Sequence, residues 1–226
     1  MTLLRARTTK LSLCVVVFFV ASGFATVITV TNSSFEEEPR AGLPHPCGPG
    51  CHFSMASSGI PGWDITPGSD QFTGLFQPGV QVHNHTSFNS VPDGITTAYT
   101  SGGTISQDVG TVEEDLIYTL MVDLGRRNDR PFTASADLLV VGPGGGMFPA
   151  TGTAPHAGHW STFTATFTGT DANEGDQITI QLNASETQGN FDNVRLSSVP
   201  VPEPSSMRLL GSGVLGLAQV IRRKLM

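Results

Sequence analysis

Two cysteines four positions apart are the most chemically distinctive side chains in the middle of the chain. Cys47 and Cys51 lie in the sequence Cys-Gly-Pro-Gly-Cys-His, with His45 and His52 beside them. In an oxidising compartment this pair predicts a local disulfide that closes a Gly/Pro loop. A zinc site formed with the two histidines is the alternative, although its spacing is not that of a common structural zinc site.

Carboxylates that could act as a general acid and base are grouped at Glu113, Glu114 and Asp115. Glycoside hydrolysis needs two carboxylates at a defined separation across a cleft, and this run is more typical of a solvated turn. The chain has no Gly-x-Ser-x-Gly or His-Glu-x-x-His pattern. The glycine-rich segment 142–146 lacks the Lys-Ser/Thr of a phosphate loop. These patterns predict a protein without catalytic machinery.

Aromatic and polar side chains offer candidates for sugar binding. The aromatic candidates are Trp63, Trp160, Tyr99, Phe72, Phe76, Phe88 and Phe148, and the polar ones are Asp70, Gln71, His83, Asn84 and His85. We expect both tryptophans to be packed in the core. His83 and His85 would share one side of a strand, which permits a metal or sugar contact, although surface histidines are the simpler interpretation.

The elements that must position these residues are short alternating segments. Helical periodicity is almost absent, and clusters of Gly, Pro, Asn and Asp separate the segments. The predicted strands are Thr26–Thr31, Gly79–His83, Ile95–Tyr99, Thr104–Val109, Ile117–Asp123, Thr133–Val140, Ser161–Thr168, Gln177–Leu182 and Phe191–Leu196. Residues 39–62 and 141–158 read as long loops. The pattern predicts one all-β domain over residues 26–198, an antiparallel two-sheet β-sandwich of the jelly-roll type.

The charge of this middle region is strongly acidic. Residues 26–201 contain 18 Asp and Glu, 5 Arg and no Lys, a net charge of −13. Such a surface repels the phosphates of nucleic acid, so a nucleic-acid partner is not expected. It is compatible with divalent cations and with neutral glycans.

The N-terminal segment has the pattern of an export signal. Arg5, Arg7 and Lys10 precede the apolar stretch 11–20, and Gly23-Phe24-Ala25 places small residues at the positions that signal peptidase reads. Residues 1–25 therefore predict a signal peptide that is cut after Ala25. A retained N-terminal membrane helix is the alternative.

The C-terminal segment, residues 199–226, has three parts in a fixed order. Pro202, Glu203 and Pro204 form an extended linker, the apolar run 207–221 follows, and Arg222, Arg223 and Lys224 end the segment. The run of about 15 residues is shorter than the roughly 20 of a typical membrane span. Its basic end predicts a cytoplasmic side. An amphipathic helix packed on the domain is the alternative.

This order resembles the PEP-CTERM sorting signal of Gram-negative bacteria that make exopolysaccharide. The resemblance implies recognition of Pro202-Glu203-Pro204 by an exosortase and transient anchoring in the inner membrane through a short hydrophobic helix. It also implies a location in the cell envelope, at the outer surface or outside the cell.

A second series of short motifs spans the domain: Asn32-Ser33-Ser34-Phe35-Glu36, Ile60-Pro61-Gly62-Trp63, Val91-Pro92-Asp93-Gly94, His159-Trp160 and Phe191-Asp192-Asn193-Val194. The series resembles galactose-binding-like carbohydrate-binding jelly rolls, especially the DUF642 type. This resemblance implies a structural Ca²⁺ held by Glu36, or its neighbour Glu37, and by Asp192. The alternative is a solvated Glu36 and an Asx turn at Asp192.

Together these patterns predict an exported, non-catalytic protein that binds a glycan such as exopolysaccharide or contributes to a matrix. A secreted polysaccharide hydrolase is the first alternative. An ice- or surface-adsorbing protein is the second, because similar tails occur on such proteins. It predicts regular Thr-x-Thr arrays, of which Thr162, Thr164, Thr166 and Thr168 form a single row, too little for such an array.

Overall fold

The computed structural model describes residues 24–79, 86–185 and 187–202. Two short 3₁₀ turns, Ala56–Ser58 and Asp171–Asn173, accompany the strands in this range. In chain order the strands are β1 (Thr26–Ile28), β2 (His45–Gly48), β3 (Cys51–Phe53), β4 (Asp64–Thr66), β5 (Thr73–Gln77), β6 (Thr97–Ser101), β7 (Thr104–Thr111), β8 (Leu116–Gly125), β9 (Ala134–Val141), β10 (Gly146–Pro149), β11 (Trp160–Thr168), β12 (Gln177–Ala184) and β13 (Gln188–Pro200).

These strands form two antiparallel sheets. The larger sheet has the order β11-β8-β13-β6-β5-β3-β2, with β1 paired to β13, and the smaller one has the order β10-β9-β12-β7-β4. The predicted all-β, two-sheet sandwich is therefore confirmed.

Alternation along the long strands decides which face is buried. In β12, Ile178, Ile180 and Leu182 are fully buried, while the residues between them are partly exposed. In β11, Phe163 and Phe167 point into the same core. Because period-two side chains lie on one face of a strand, the two sheets press these rows together. Each such side chain contributes about 1.5–3 kcal/mol when it is fully buried.

The larger sheet also carries a second apolar cluster on its outer face. Cys51, Phe76, Phe88 and Tyr99 are buried there, and Cys47, Phe53 and Trp160 pack against them. On β6, Ala98 belongs to the inter-sheet core and its neighbour Tyr99 to the outer cluster. A sheet that buries apolar side chains on both faces can support a binding surface on the side away from the main core.

Strand β13 is central to the larger sheet because it pairs with three other strands. β8 follows one edge of β13, while the other edge pairs with β6 at Gln188–Phe191 and with β1 at Leu196–Ser198. The register shifts between Asp192 and Arg195, and Asn193 has a φ of 51°. This bulge opens a gap between β6 and β1, which the turn after β1 fills through the bond from Val194 N–H to the Ser33 carbonyl.

Two segments expected to be loops contain strands. Within 39–62 the structure forms the β2–β3 hairpin, and within 141–158 it forms β10, which pairs with β9. β4 and β5 were also not predicted. These strands have three to five residues and few alternating apolar positions, so pairing with neighbouring strands rather than local pattern decides them. The predicted strand at 79–83 lies almost wholly outside the described residues.

Cys47 and Cys51 are joined by a disulfide across the β2–β3 hairpin. Closing so short a loop stabilises the fold by about 2 kcal/mol at most. His45 does not accompany the cysteines in a metal site, since its ring stacks on Phe53 with centroids 5.0 Å apart. Among the described residues, no helix is long and apolar enough to cross a membrane.

Candidate functional site

A groove of about 360 Å³ opens on the outer face of the larger sheet. Its volume lies within the range of small-ligand sites. The lining residues come from six separate segments of the chain: Cys47, Phe53, Asp70, Phe72, Phe76, Tyr99, Ser101, Arg127, Arg130, Thr187 and Gln188.

One side of the groove is aromatic. Phe76 and Tyr99 are each 3% exposed, whereas Phe72 is 42% exposed. Phe53 connects them, with its ring centroid 6.3 Å from that of Phe72 and 6.4 Å from that of Tyr99. The deep rings are thus packed in place, and the exposed faces of Phe72 and Phe53 are free to contact a ligand.

Tyr99 contributes its aromatic ring to the groove, and its phenol is not set up to donate a proton to a ligand. Its hydroxyl donates to the Ser54 carbonyl at 2.7 Å. Burial raises the pKa of Tyr99 well above its usual range, and the nearby Asp70 carboxylate raises it further. Ser54 packs directly against Gly74, which has no side chain. A Cβ at position 74 would come within 2.6 Å of the Ser54 carbonyl oxygen. Glycine at position 74 therefore permits the close approach of Ser54 to β5.

The opposite side of the groove contains a fixed guanidinium. Arg127 is 7% exposed and donates through Nε and Nη2 to the two Asp129 carboxylate oxygens, at 2.8 and 2.9 Å. Its Nη1 donates to Gln188 Oε1 at 2.9 Å, and its charge lies 5.5 Å from the Phe76 ring centroid. The guanidinium beside Asp129 lowers the pKa of that carboxyl, so the pair stays ionised.

Beside Gln188, the strand β13 presents a buried polar group. Gln188 Nε2 donates to Asn190 Oδ1 at 3.0 Å. Asn190 is fully buried, and its Nδ2 has no acceptor among the described residues. A buried donor without a partner is costly, so this position has hydrogen-bonding capacity that no described residue uses.

Trp63 lies in the main core, as the sequence predicts, whereas Trp160 is only partly buried and packs against the outer cluster of the larger sheet. Trp63 is buried and donates from Nε1 to the Asn32 carbonyl at 3.2 Å. Trp160 packs on Phe88, with ring centroids 4.6 Å apart, and donates to the Ser90 carbonyl at 2.9 Å. The indole of Trp160 lies over Gly125, where a Cβ would come within 2.7 Å of the ring.

Glu36 and Asp192 hold the same short segment of chain. Glu36 Oε1 accepts from the N–H groups of Ile95 and Thr96 at 2.9 and 2.7 Å. Asp192 Oδ2 accepts from Asp93 N–H at 3.0 Å, and its Oδ1 accepts from Asn193 N–H at 2.7 Å. The structure therefore brings the two predicted residues, Glu36 and Asp192, to one loop. There, both carboxylates accept hydrogen bonds from backbone N–H groups.

Asp192 lies in an acidic environment. It is fully buried, and burial raises its pKa to about 8, against the lowering effect of the N–H groups of Asp93 and Asn193. The carboxylates of Asp93 and Asp123 also raise this pKa. A cation near Asp192 would relieve this repulsion.

The residues present match a structural calcium only in part. Ca²⁺ takes six to eight oxygen ligands, and the charge around Asp192 suits such an ion. Among the described residues, however, the acidic groups that come within 4.8 Å of one another as a set of three are Glu114, Asp171 and Glu174, which are all exposed. Glu36 and Asp192 form no such set, so calcium stays a prediction.

Chelation tests this prediction. If calcium is bound next to Asp192, a chelator is expected to lower the melting temperature of the purified protein, because it removes a ligand that binds only the folded state. Added calcium should restore the transition, and magnesium should not. An unchanged transition, with no metal found by elemental analysis, would contradict the prediction.

The remaining acidic candidates, Glu113, Glu114 and Asp115, are all exposed. Glu114 is exposed, and the neighbouring Asp115 carboxylate is the main cause that raises its pKa. The backbone N–H of Glu113 donates to the Tyr118 hydroxyl at 2.8 Å. This surface is a repulsive acidic patch, consistent with the solvated turn expected from the sequence.

Several predicted residues lie outside the described part of the chain. They are His83, Asn84 and His85 among the ligand candidates, and Glu203, Pro204, Arg222, Arg223 and Lys224 in the sorting segment. Pro202 is described and exposed. Of the other ligand candidates, Asp70, Phe72, Phe76 and Tyr99 do meet in the groove.

Sequence reasoning missed the cationic side of the groove. Arg127 and Arg130 were not among the candidates, and neither were Phe53, Ser101 and Gln188. One signal was available: residues 126–130 read Arg-Arg-Asn-Asp-Arg, a basic cluster in a domain with few other cations.

The profile of the HpiC1-like family, described as HpiC1 cyclase, matches residues 26–197. The chain belongs to the HpiC1-like family. Among curated proteins, none matches this chain.

Solved structures resemble this HpiC1-like domain in fold. An apo cyclase from Fischerella sp. has a TM-score of 0.60 at 20% identity, over 79% of this chain and 98% of that one. The Stig cyclase Fisc from Fischerella sp. TAU, in complex with (3Z)-3-(1-methyl-2-pyrrolidinylidene)-3H-indole, has a TM-score of 0.59 at 20% identity, over 79% and 100%. The CBM22-1 xylan-binding domain of Paenibacillus barcinonensis Xyn10C is more distant, with a TM-score of 0.47 at 12% identity, over 80% and 100%.

The second match lies at the C-terminus. The PEP-CTERM protein-sorting motif matches residues 200–224. The predicted sorting signal is thus confirmed, and it marks the HpiC1-like chain as an exported protein of the cell envelope.

Proposed function

We propose that this HpiC1-like protein is a non-catalytic glycan-binding protein of the Gram-negative cell envelope, which binds a matrix polysaccharide in the groove on its outer sheet. The main support for glycan binding is the exposed ring of Phe72. This ring lies next to Phe53, in a groove that Asp70, Arg130 and Gln188 also line. Aromatic faces with a few polar groups at their edge form a typical small-ligand site.

The composition of the groove supports binding without hydrolysis. Among its described lining residues, Asp70 is the one carboxylate, whereas glycoside hydrolysis needs two. The Tyr99 hydroxyl is already bonded to Ser54. The row of threonines on β11 offers weaker support for surface adsorption, because Thr162 donates its hydroxyl to Asp123 and one row is too narrow for a regular array.

The sorting motif supports the proposed location. Signal peptidase would release the N-terminal segment, and the C-terminal apolar run would hold the protein in the inner membrane until an exosortase acts on Pro202-Glu203-Pro204. The bound glycan would then be one that the same envelope carries, such as an exopolysaccharide.

Replacing Phe72 with alanine tests the groove. We expect the affinity for a bound polysaccharide to fall about tenfold, since truncating an exposed aromatic anchor costs on the order of 1–2 kcal/mol. The measurement is titration calorimetry with glycans that a glycan array selects. Met147→Ala is the matched control, because Met147 is 62% exposed on β10 in the other sheet. Equal affinities of the two variants would contradict the proposal.

Family membership favours one second function, a cyclase that acts on a small molecule. The cavity volume of about 360 Å³ would hold a ligand of that size. Incubation of the protein with candidate aromatic substrates, followed by mass spectrometry and NMR of the products, separates the two. Turnover that is lost in Phe72→Ala and retained in Met147→Ala would replace the non-catalytic proposal.

A further inference from the structure

The positive charges of this acidic domain are concentrated beside the groove. Residues 26–201 carry a net charge of −13, yet three of their five arginines lie within 126–130. Two of these, Arg127 and Arg130, line the groove, where Asp70 is the one acidic lining residue that the structure describes. Among its described lining residues the groove thus has two cations and one carboxylate, on a protein that is otherwise anionic.

The two arginines differ in what they can do. Arg127 is buried, and its guanidinium is held by Asp129 and Gln188, so its charge is largely compensated. Arg130 is exposed and makes no hydrogen bond or ion pair with a described residue, although its charge acts on the Asp129 carboxyl and helps to lower the pKa of that group. Its guanidinium keeps all of its donors available to a ligand.

The position of Arg130 limits the ligand that would use it. It shares the groove with Phe72, whose exposed face suits a sugar ring. A planar guanidinium binds a planar carboxylate through two parallel N–H···O bonds. A neutral sugar would leave this charge unpaired, while an acidic sugar would satisfy the ring and the cation together.

We propose that the groove selects an acidic sugar, a uronate, whose carboxylate binds Arg130 while its ring contacts Phe72. This inference rests on the proposed glycan binding and specifies the class of glycan. The net charge of the domain favours neutral glycans, and this inference departs from that expectation. Physiological salt screens charges that are more than roughly 8–10 Å away. The charge of Arg130 at the contact therefore counts for more than the distant acidic residues. The acidic remainder of the domain would repel the polymer away from the groove.

The test compares one sugar with and without its charge. The exported, processed protein is titrated with oligogalacturonate and with the same oligomer after methyl esterification, which removes the carboxylate charge. We expect the charged form to bind about two- to fivefold more tightly, the effect of one exposed charge pair, and this preference to shrink in high salt. Arg130→Gln should abolish the preference, and Arg40→Gln, which removes an exposed arginine outside the groove, should retain it.

The outcomes separate this inference from the proposal under it. Equal binding of both oligomers, or a preference that survives Arg130→Gln, overturns the uronate assignment and leaves glycan binding intact. Tighter binding of a sulfated polymer than of the uronate also overturns it. Failure to bind either oligomer or any neutral glycan overturns both. Unchanged melting temperatures of the two variants verify that they are folded.

Discussion

Replacing Asp192 with asparagine is expected to remove a fall in stability with rising pH. The pKa of Asp192 is about 8 in the folded protein, against 3.8 for an aspartate that is free in water, as in the unfolded chain. Between these values the folded state holds a proton that the unfolded state has lost. The free energy of unfolding therefore decreases as pH rises across this window, by about 1.4 kcal/mol per pH unit from this group.

Asparagine cannot ionise, and it keeps one acceptor for the two N–H groups that Asp192 binds. At pH 5 we expect the Asp192→Asn protein to be less stable than the wild type, by about 1–3 kcal/mol for the unsatisfied amide. This deficit should disappear by about pH 6–7 and then reverse, because the wild type loses about 1.4 kcal/mol per pH unit. Urea unfolding between pH 5 and pH 8, in the presence of a chelator, measures both quantities.

Asp64→Asn is the matched control, because Asp64 is exposed on β4. Its stability should follow the wild-type curve at every pH. A constant difference between Asp192→Asn and wild type across the whole range would show that Asp192 is ionised in the fold. If calcium is bound nearby, saturating calcium should abolish the wild-type slope that the chelator reveals, since a cation lowers the pKa of the carboxyl.

Asn32→Ala is expected to destabilise the protein by about 3 kcal/mol. Asn32 Oδ1 accepts from Glu37 N–H at 2.9 Å, and Nδ2 donates to the Pro61 carbonyl at 3.1 Å. Its backbone has a φ of 48°, a conformation that asparagine tolerates better than alanine. The side chain thus ties the turn that carries Glu36 to the turn that carries Trp63.

Two further variants separate the contributions at position 32. Asn32→Gly accepts the positive φ and loses only the side-chain hydrogen bonds, so it should cost about 1 kcal/mol less than Asn32→Ala. Asn89→Ala, on the surface with one contact to His159, should cost less than about 1 kcal/mol. Urea unfolding measures all three, and equal losses for Asn32→Ala and Asn89→Ala would contradict the assigned role.

The fold depends on two kinds of information that differ in how far they act along the chain. In β11, Phe163, Ala165 and Phe167 alternate with threonines, and this local period is sufficient to predict a strand with one buried face. In β2 and β3 no such period exists. Those strands form because Phe53 pairs with Phe76 of β5 and a disulfide closes the hairpin, contacts that a linear pattern does not contain.

The sequence by itself determined the C-terminal sorting signal, the acidic charge, the all-β class and most long strands. Each of these depends on composition, on adjacent residues or on an alternation with a period of two. The tertiary structure decided the groove. Register across the larger sheet places Asn190 opposite Tyr99 and Gly125, and this pairing brings Arg127 and Arg130 to the groove that Phe53 of β3 and Phe76 of β5 also line. Local charge at the site can therefore oppose the net charge of the chain, since folding rather than composition sets which side chains become neighbours.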